Sequence, residues 1–258
     1  MRRLLRSETI KLHSARSFAG LLAALLVLEL ATVVIPVAAA PLHTGRFAMA
    51  GEFAQRTVAC AGATAAGVIA LILGVLGLAG EYRHGTLTPT LLATPRRGRV
   101  VAAKSLVHAA AGGLIGAAAS LLSVAVLLVG LHLRGVADTL SAADLAAIIG
   151  GGILYVMLAA LLGLGVGAAV RDPVVALAGI LTLFFVVENI LVGVAPNVAR
   201  WLPGQTGSAL AFPAGTSGNT GLVGAHVITQ AAGGATFAAY TAVALLTGAL
   251  LTRHRDIT

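Results

Sequence analysis

The chain has 258 residues, of which 58% are hydrophobic and 10% charged, with a mean hydropathy of +0.98. That excludes an ordinary soluble domain, in which about 25% of residues are charged. The formal charge of +8 would suit a nucleic-acid binder, but the cations gather on one side of a series of long apolar segments, which excludes that partner as well.

Several of these segments exceed the ~20 apolar residues that cross the hydrocarbon as a helix, and none alternates with the short period of a membrane β-barrel. The expected fold class is therefore all-α: a polytopic membrane protein whose six spans cover roughly residues 18–40, 57–79, 106–131, 145–170, 174–194 and 225–251. With both ends on one side, that side holds thirteen of the seventeen Lys and Arg residues; Arg46, Arg56, Arg134 and Arg200 lie on the other. Positive charge retained inside places both termini in the cytoplasm and favours contact with anionic membrane lipids. Arg outnumbers Lys fifteen to two, a usage typical of GC-rich bacterial genomes.

Residues 1–17, "MRRLLRSETIKLHSARS", read as a short interfacial helix, with Leu5, Thr9 and Leu12 at helical spacing among charges. The first span is too long for a secretory signal core, and Glu8 and Glu29 fit such a signal badly. The second span holds Cys60, the only cysteine, so no internal disulfide or thiol metal site is expected. The stretch "GEYRHGTLTPTLLATPRRGRVVAAK", residues 80–104, follows. Gly80 and Gly85 bracket its first charges. Thr86 or Thr88 can cap a new helix, Pro89 fits its first turn and Pro95 ends it. A helix of about two turns over residues 86–94, inside a cytoplasmic loop at 83–99, needs a partner surface, because isolated helices shorter than about 12 to 15 residues are marginal. Arg96, Arg97 and Arg99 would meet phosphates or acidic groups at the membrane edge.

Gly112, Gly113 and Gly116 in the third span, and Gly163, Gly165 and Gly167 in the fourth, permit close backbone contact between helices. The last three spell G-x-G-x-G but follow no strand, so they do not read as a nucleotide loop. The fourth and fifth spans are joined only by Arg171-Asp172-Pro173, which requires a tight cytoplasmic hairpin. The outer loops at 41–56 and 134–144 read as simple connections. The loop at 196–224 is long, with Trp201-Leu202 and Leu210-Ala211-Phe212 as amphipathic pieces, and suits a short helix re-entering the outer leaflet.

Charged acids at mid-membrane cost about 2.5 to 3.5 kcal/mol even on the lenient insertion scale. Glu29 in the first span and Glu188, followed by Asn189, in the fifth therefore face protein or water. They are candidates for a cargo path or gate, or for hydrogen bonds between helices. His108 is the one histidine well inside the cytoplasmic half of a span. Catalytic readings find little: there is no H-E-x-x-H, the histidines are scattered, and Gly207-Ser208 with His226 lacks a G-x-S-x-G turn. No metal site and no bound cofactor are expected.

The 80–104 stretch resembles the cytoplasmic loop of type-2 family ABC exporter permeases, in which an E-[YF]-R-x-G-T-L signature leads into a coupling helix, then T-P-x-R and a lysine entering the next span. Glu81, Tyr82, Arg83, Gly85, Thr86, Leu87, Leu91, Leu92, Pro95, Arg97 and Lys104 occupy those positions. "SETIKLHSARS" at 7–17 resembles the lead of actinobacterial members, and "RDPVVALAGILTLFFVVENIL" at 171–191 their fifth span. The resemblance implies a plasma-membrane subunit that pairs with itself or with a similar chain and docks two cytoplasmic ATP-binding subunits through Glu81, Tyr82, Arg83, Gly85, Thr86, Leu87, Leu91, Leu92, Arg96 and Arg97. It implies that the second and fifth spans line the path. This chain has no G-x-x-x-x-G-K-[ST] loop, so ATP and Mg would be held by the partner. An apolar wall suits hydrophobic or amphipathic cargo such as an antibiotic, peptide or lipid. The alternative is a secondary transporter that uses Glu29 or Glu188 as a proton site.

Overall fold

A computed structural model describes residues 2–14, 16–43, 48–83, 85–86, 97–212 and 228–254. The expected coupling helix at 86–94 falls almost wholly outside the described residues, with Leu87, Leu91, Leu92 and Arg96. For Arg97 only the backbone is described. Every regular element among the described residues is a helix. Six of them are long and apolar enough to cross a membrane: Ala19–Ala39, Glu52–Arg83, Gly98–Leu133, Ala142–Val170, Pro173–Val194 and Gln230–Thr252, here spans 1 to 6.

Spans 2 and 3 extend well past the expected boundaries. At 1.5 Å per residue the 32 residues of Glu52–Arg83 reach about 48 Å, against about 30 Å of hydrocarbon. The helix runs straight through Gly80, which brackets nothing, and stops at Gly85. There the backbone turns left-handed (φ 65°), Thr86 N–H donates to Glu81 O (3.1 Å) and Gly85 N–H donates to Tyr82 O (3.3 Å). This pair of bonds is a Schellman stop, which a glycine permits at little cost. Hydropathy marks where the membrane ends, whereas the helix ends where its carbonyls find other donors.

Span 4 is the hub. Gly163 and Gly167 bring it against the span 2 backbone at Leu71 and Val75, and Gly74 of span 2 lies against the Ala160 carbonyl. Gly112 and Gly116 of span 3 reach span 4 at Val156 and Ile153, while Gly165 and Gly248 join spans 4 and 6. Without a hydrophobic force between helices in lipid, such close approach is what dispersion requires. The 4–5 hairpin is as tight as expected. Arg171 closes span 4 at φ 66°, Asp172 Oδ1 accepts from the N–H groups of Val174 and Val175 (2.8 and 2.9 Å), and Pro173 takes the first helical position.

The loops expected on the outside do more than connect. Buried Gln55 donates to Met49 O and Ala137 O and accepts from Thr139 N–H, each at 2.9 Å, pinning both loops to span 2. Arg134 donates to Val37 O (2.6 Å) and Ala40 O (2.7 Å) at the outer end of span 1. In the long last loop, Pro203–Ala211 forms a helix packed on spans 4 and 6.

Spans 1, 5 and 6 stay peripheral, with 22%, 17% and 22% of their most apolar stretches buried against 78% for span 2. Around span 2, Gly62 faces Glu29 and Ser123, Gly77 faces His108, Gly67 and Gly74 face span 4, and Val75 and Ala79 pack on Ala176 of span 5. What remains half-buried along the membrane stretch is one helical stripe, Thr57, Ala61, Thr64, Val68, Ile72 and Leu76. The second span is thus enclosed except for this line.

A Cβ at Gly74 or Gly163 would collide with the backbone carbonyl of Ala160 or Leu71, whereas Gly113 faces open space. Gly74→Val and Gly163→Val are each expected to lower stability by about 1 to 3 kcal/mol or more, and Gly113→Ala to leave it unchanged, as read by thermal unfolding in detergent.

Candidate functional site at the root of the loop between spans 2 and 3

Four charges from three helices meet where spans 2 and 3 emerge. Glu8 and Lys11 lie one turn apart on the N-terminal helix Arg2–Ser14, Glu81 near the end of span 2, and Lys104 near the start of span 3. Lys104 Nζ lies 2.6 Å from Glu8 and 3.0 Å from Glu81; Lys11 Nζ lies 3.0 Å from both acids. Charges alternate around the ring, so each like-charged pair is separated by an opposite one. Burial differs sharply, with side-chain exposure of 3% for Glu8, 2% for Lys104, 12% for Glu81 and 40% for Lys11.

Burial alone would raise the Glu8 carboxyl, but the ammonium groups of Lys104 and Lys11 outweigh it and hold the acid below the ordinary carboxylate range. Burial alone would lower Lys11, but its hydrogen bonds to Glu81 and Glu8 hold it above the ordinary lysine range. The stabilisation from Glu8 is therefore present above its unfolded pKa and lost as pH falls through the lower folded value. That from Lys11 is present below its unfolded pKa and lost as pH rises through the higher folded one. Glu8 and Lys11 are therefore both charged at neutral pH. Beneath the ring His108 pairs through Nδ1 with Lys104 O (2.9 Å), and its Nε2 occupies the space that a side chain at Gly77 would fill.

Tyr82, the next residue, points the other way. Its hydroxyl lies 3.3 Å from Thr252 Oγ1 at the end of span 6, and the Arg171 guanidinium of the 4–5 hairpin sits 4.9 Å from its ring centroid. Such a cation over an aromatic face contributes about 0.5 to 2 kcal/mol. Two consecutive side chains thus tie the root of the loop to everything around it: Glu81 to the N-terminal helix and span 3, Tyr82 to spans 4, 5 and 6. Arg83 is exposed, and Gly85 forms the stop. Of the expected docking residues, Glu81 is turned inward and spends its carboxylate on the chain's own lysines. Sequence reasoning missed this ring and the Arg171–Tyr82 contact. The available signal was that both motifs, S-E-x-x-K and G-E-Y-R…K, contribute one acid and one lysine.

The intramembrane acids are separate from this site and from each other. Glu188 is fully buried and accepts from the N–H groups of Gly204 (2.8 Å) and Gln205 (3.0 Å), supplying from span 5 the cap that the outer helix Pro203–Ala211 lacks locally. Asn189 is exposed and donates to Phe185 O (2.9 Å) on its own helix. Glu29 is buried beside Gly62 and Ser123, whose hydroxyl donates to it at 3.3 Å. Each glutamate adjoins a π-helical turn: Leu30–Val34 begins after Glu29, and Leu183–Val187 ends before Glu188. Among the described residues no group of three or more His, Cys, Asp or Glu side chains is placed to hold a metal.

Glu188→Ala strips a buried cap from two N–H groups, a loss of about 1 to 3 kcal/mol. Amide exchange at Gly204 and Gln205 is expected to accelerate accordingly, with the remaining spans unaffected. Gly85→Ala, forced into a left-handed backbone, is expected to cost about 1 to 2 kcal/mol, visible as a lower midpoint in detergent unfolding.

No curated protein matches the chain in sequence. A family profile described as ABC-2 family transporter protein matches residues 38–248, which takes in most of the chain, including the Glu81-Tyr82 root, Lys104 and Glu188. With a family profile over most of its length and six apolar helices, the chain belongs to the ABC-2 family of transporter membrane proteins.

Proposed function

We propose that the chain is the membrane subunit of an exporter driven by ATP hydrolysis on separate cytoplasmic subunits. Two copies, or one copy and a similar chain, form the conduit in a bacterial plasma membrane, and two ATP-binding subunits holding ATP and Mg dock on the loop at 83–99. The observation that carries this reading is the Glu81-Tyr82 root. A force applied to the loop reaches the N-terminal helix and span 3 through one side chain and spans 4 to 6 through the next, so the helices move as packed bodies. Rigid elements with two arrangements are what a conformational coupling needs.

The conduit is assigned to the stripe on span 2, flanked by spans 1 and 5, whose outward faces carry Leu26, Val27, Phe185 and Ile190. These aliphatic and aromatic walls favour hydrophobic or amphipathic cargo: an antibiotic or other drug, a peptide or a lipid. Resistance by drug export is one role that such cargo would give. Glu188 sits at the outer end of this face and holds the outer helix, which makes it a gate-positioning group. Glu29 and Asn189 remain candidates for contact along the path.

The test is retention of an ATP-binding subunit on purification, followed by ATP-driven transport in proteoliposomes. Tyr82→Ala removes the contacts to Arg171 and Thr252 and is expected to lower transport per ATP hydrolysed by roughly tenfold, corresponding to about 1.4 kcal/mol, while the ATPase stays bound. Val68→Trp is expected to block transport without loss of assembly. Transport driven by an ion gradient with no nucleotide-hydrolysing partner would overturn the reading.

A further inference from the structure

The charge ring at the loop root is asymmetric, and the asymmetry assigns its members different tasks. Glu8 and Lys104 meet at 2.6 Å with 3% and 2% of their side chains exposed. Parting them would leave a charge uncompensated inside the protein, which is far more costly than parting a solvated pair. Lys11 is 40% exposed and Glu81 12%, so their 3.0 Å contact lies nearer to water than the Glu8–Lys104 pair and costs less to part, chiefly because Lys11 regains its hydration. Glu81 holds both lysines through one oxygen, Oε1, while its Oε2 has no partner among the described residues. Span 2 ends two residues beyond Glu81, at Arg83, shortly before the Gly85 stop, so the chain beyond this carboxylate no longer continues as a helix. The N-terminal helix packs on span 3.

We infer that this ring is a latch with one permanent and one breakable half: Glu8 and Lys104 keep the N-terminal helix fixed to span 3, while Glu81 at the end of span 2 engages and releases Lys11 and Lys104. Release leaves both lysines on Glu8, which stays compensated, so the break is confined to the span 2 side. The N-terminal helix and span 3 then form one lever and the end of span 2 the other. Lys11 and Glu81 are positioning residues for coupling, acting through the loop that they hold. The inference deepens the proposed function, since the loop's load is what would work the latch.

The test uses the full chain in lipid nanodiscs, with spin labels on cysteines placed at the exposed positions Thr9, Arg83 and Arg99; Cys60 is buried and is not labelled. In the isolated chain the Thr9 to Arg83 distance is expected to lose its single narrow component in Lys11→Gln and in Glu81→Gln, while the Thr9 to Arg99 distance stays as in the parent. High salt, which screens exposed pairs much more than buried ones, is expected to reproduce that pattern without any substitution. If both distances change together, or neither changes, under all three conditions, the latch is wrong. With a bound ATP-binding subunit, addition of ATP and vanadate is expected to shift only the Thr9 to Arg83 distance. Failure of any such subunit to bind would count against the proposed function, and the isolated-chain distances would still decide the latch.

Discussion

One carboxylate oxygen shared by two lysines organises the end of this protein where the N-terminal helix meets spans 2 and 3. Glu81 Oε1 stands 3.0 Å from both Lys11 and Lys104, and the second acid, Glu8, closes the ring. Charges buried at this depth persist only when paired, so the N-terminal helix and the ends of spans 2 and 3 must find one relative placement. The loop at 83–99 starts from that placement. Its neighbour Tyr82 extends the constraint to the remaining spans through Arg171 and Thr252.

The membrane interior is built on a different principle. Glycines on spans 2, 3, 4 and 6 let backbones touch, which makes a packed block in which span 4 is central and span 2 nearly enclosed. Spans 1 and 5 lean on this block and expose most of their surface. They also carry the two buried glutamates and the two π-helical turns. A widened turn beside an acid that must find internal partners is a local compromise in helix geometry, of the kind often found at functional sites. Two of the three least buried spans thus carry the irregular turns, while span 6, buried to the same 22% as span 1, is one continuous helix.

Much of this was legible in the sequence because it depends on neighbours along the chain. Apolar run length gave six spans, and the bias of arginine and lysine gave their orientation as an expectation. Arg171-Asp172-Pro173 specified a hairpin because a cap and a proline act within one turn. Gly85 marked a stop, although Gly80 was wrongly read as its companion: both lack side chains, and only the backbone angle tells them apart. Span 2 was read as ending too early and span 3 as starting too late, since hydropathy reports the solvent and not the hydrogen bonds that keep a helix going. The N-terminal helix was read by its apolar spacing at Leu5, Thr9 and Leu12, whereas Glu8 and Lys11 are what fasten it to the protein.

The sequence by itself determined fold class and span number, because length and hydropathy are local quantities. Only the tertiary structure decided where the charges go. Lys11 meets Glu81 across 70 positions, Lys104 meets Glu8 across 96, and Glu188 caps a helix that starts some sixteen residues later. Such pairings are set by the rotation and register of packed helices. A few tens of degrees of turn about a helix axis would point the same side chains at lipid, and no local pattern records that angle.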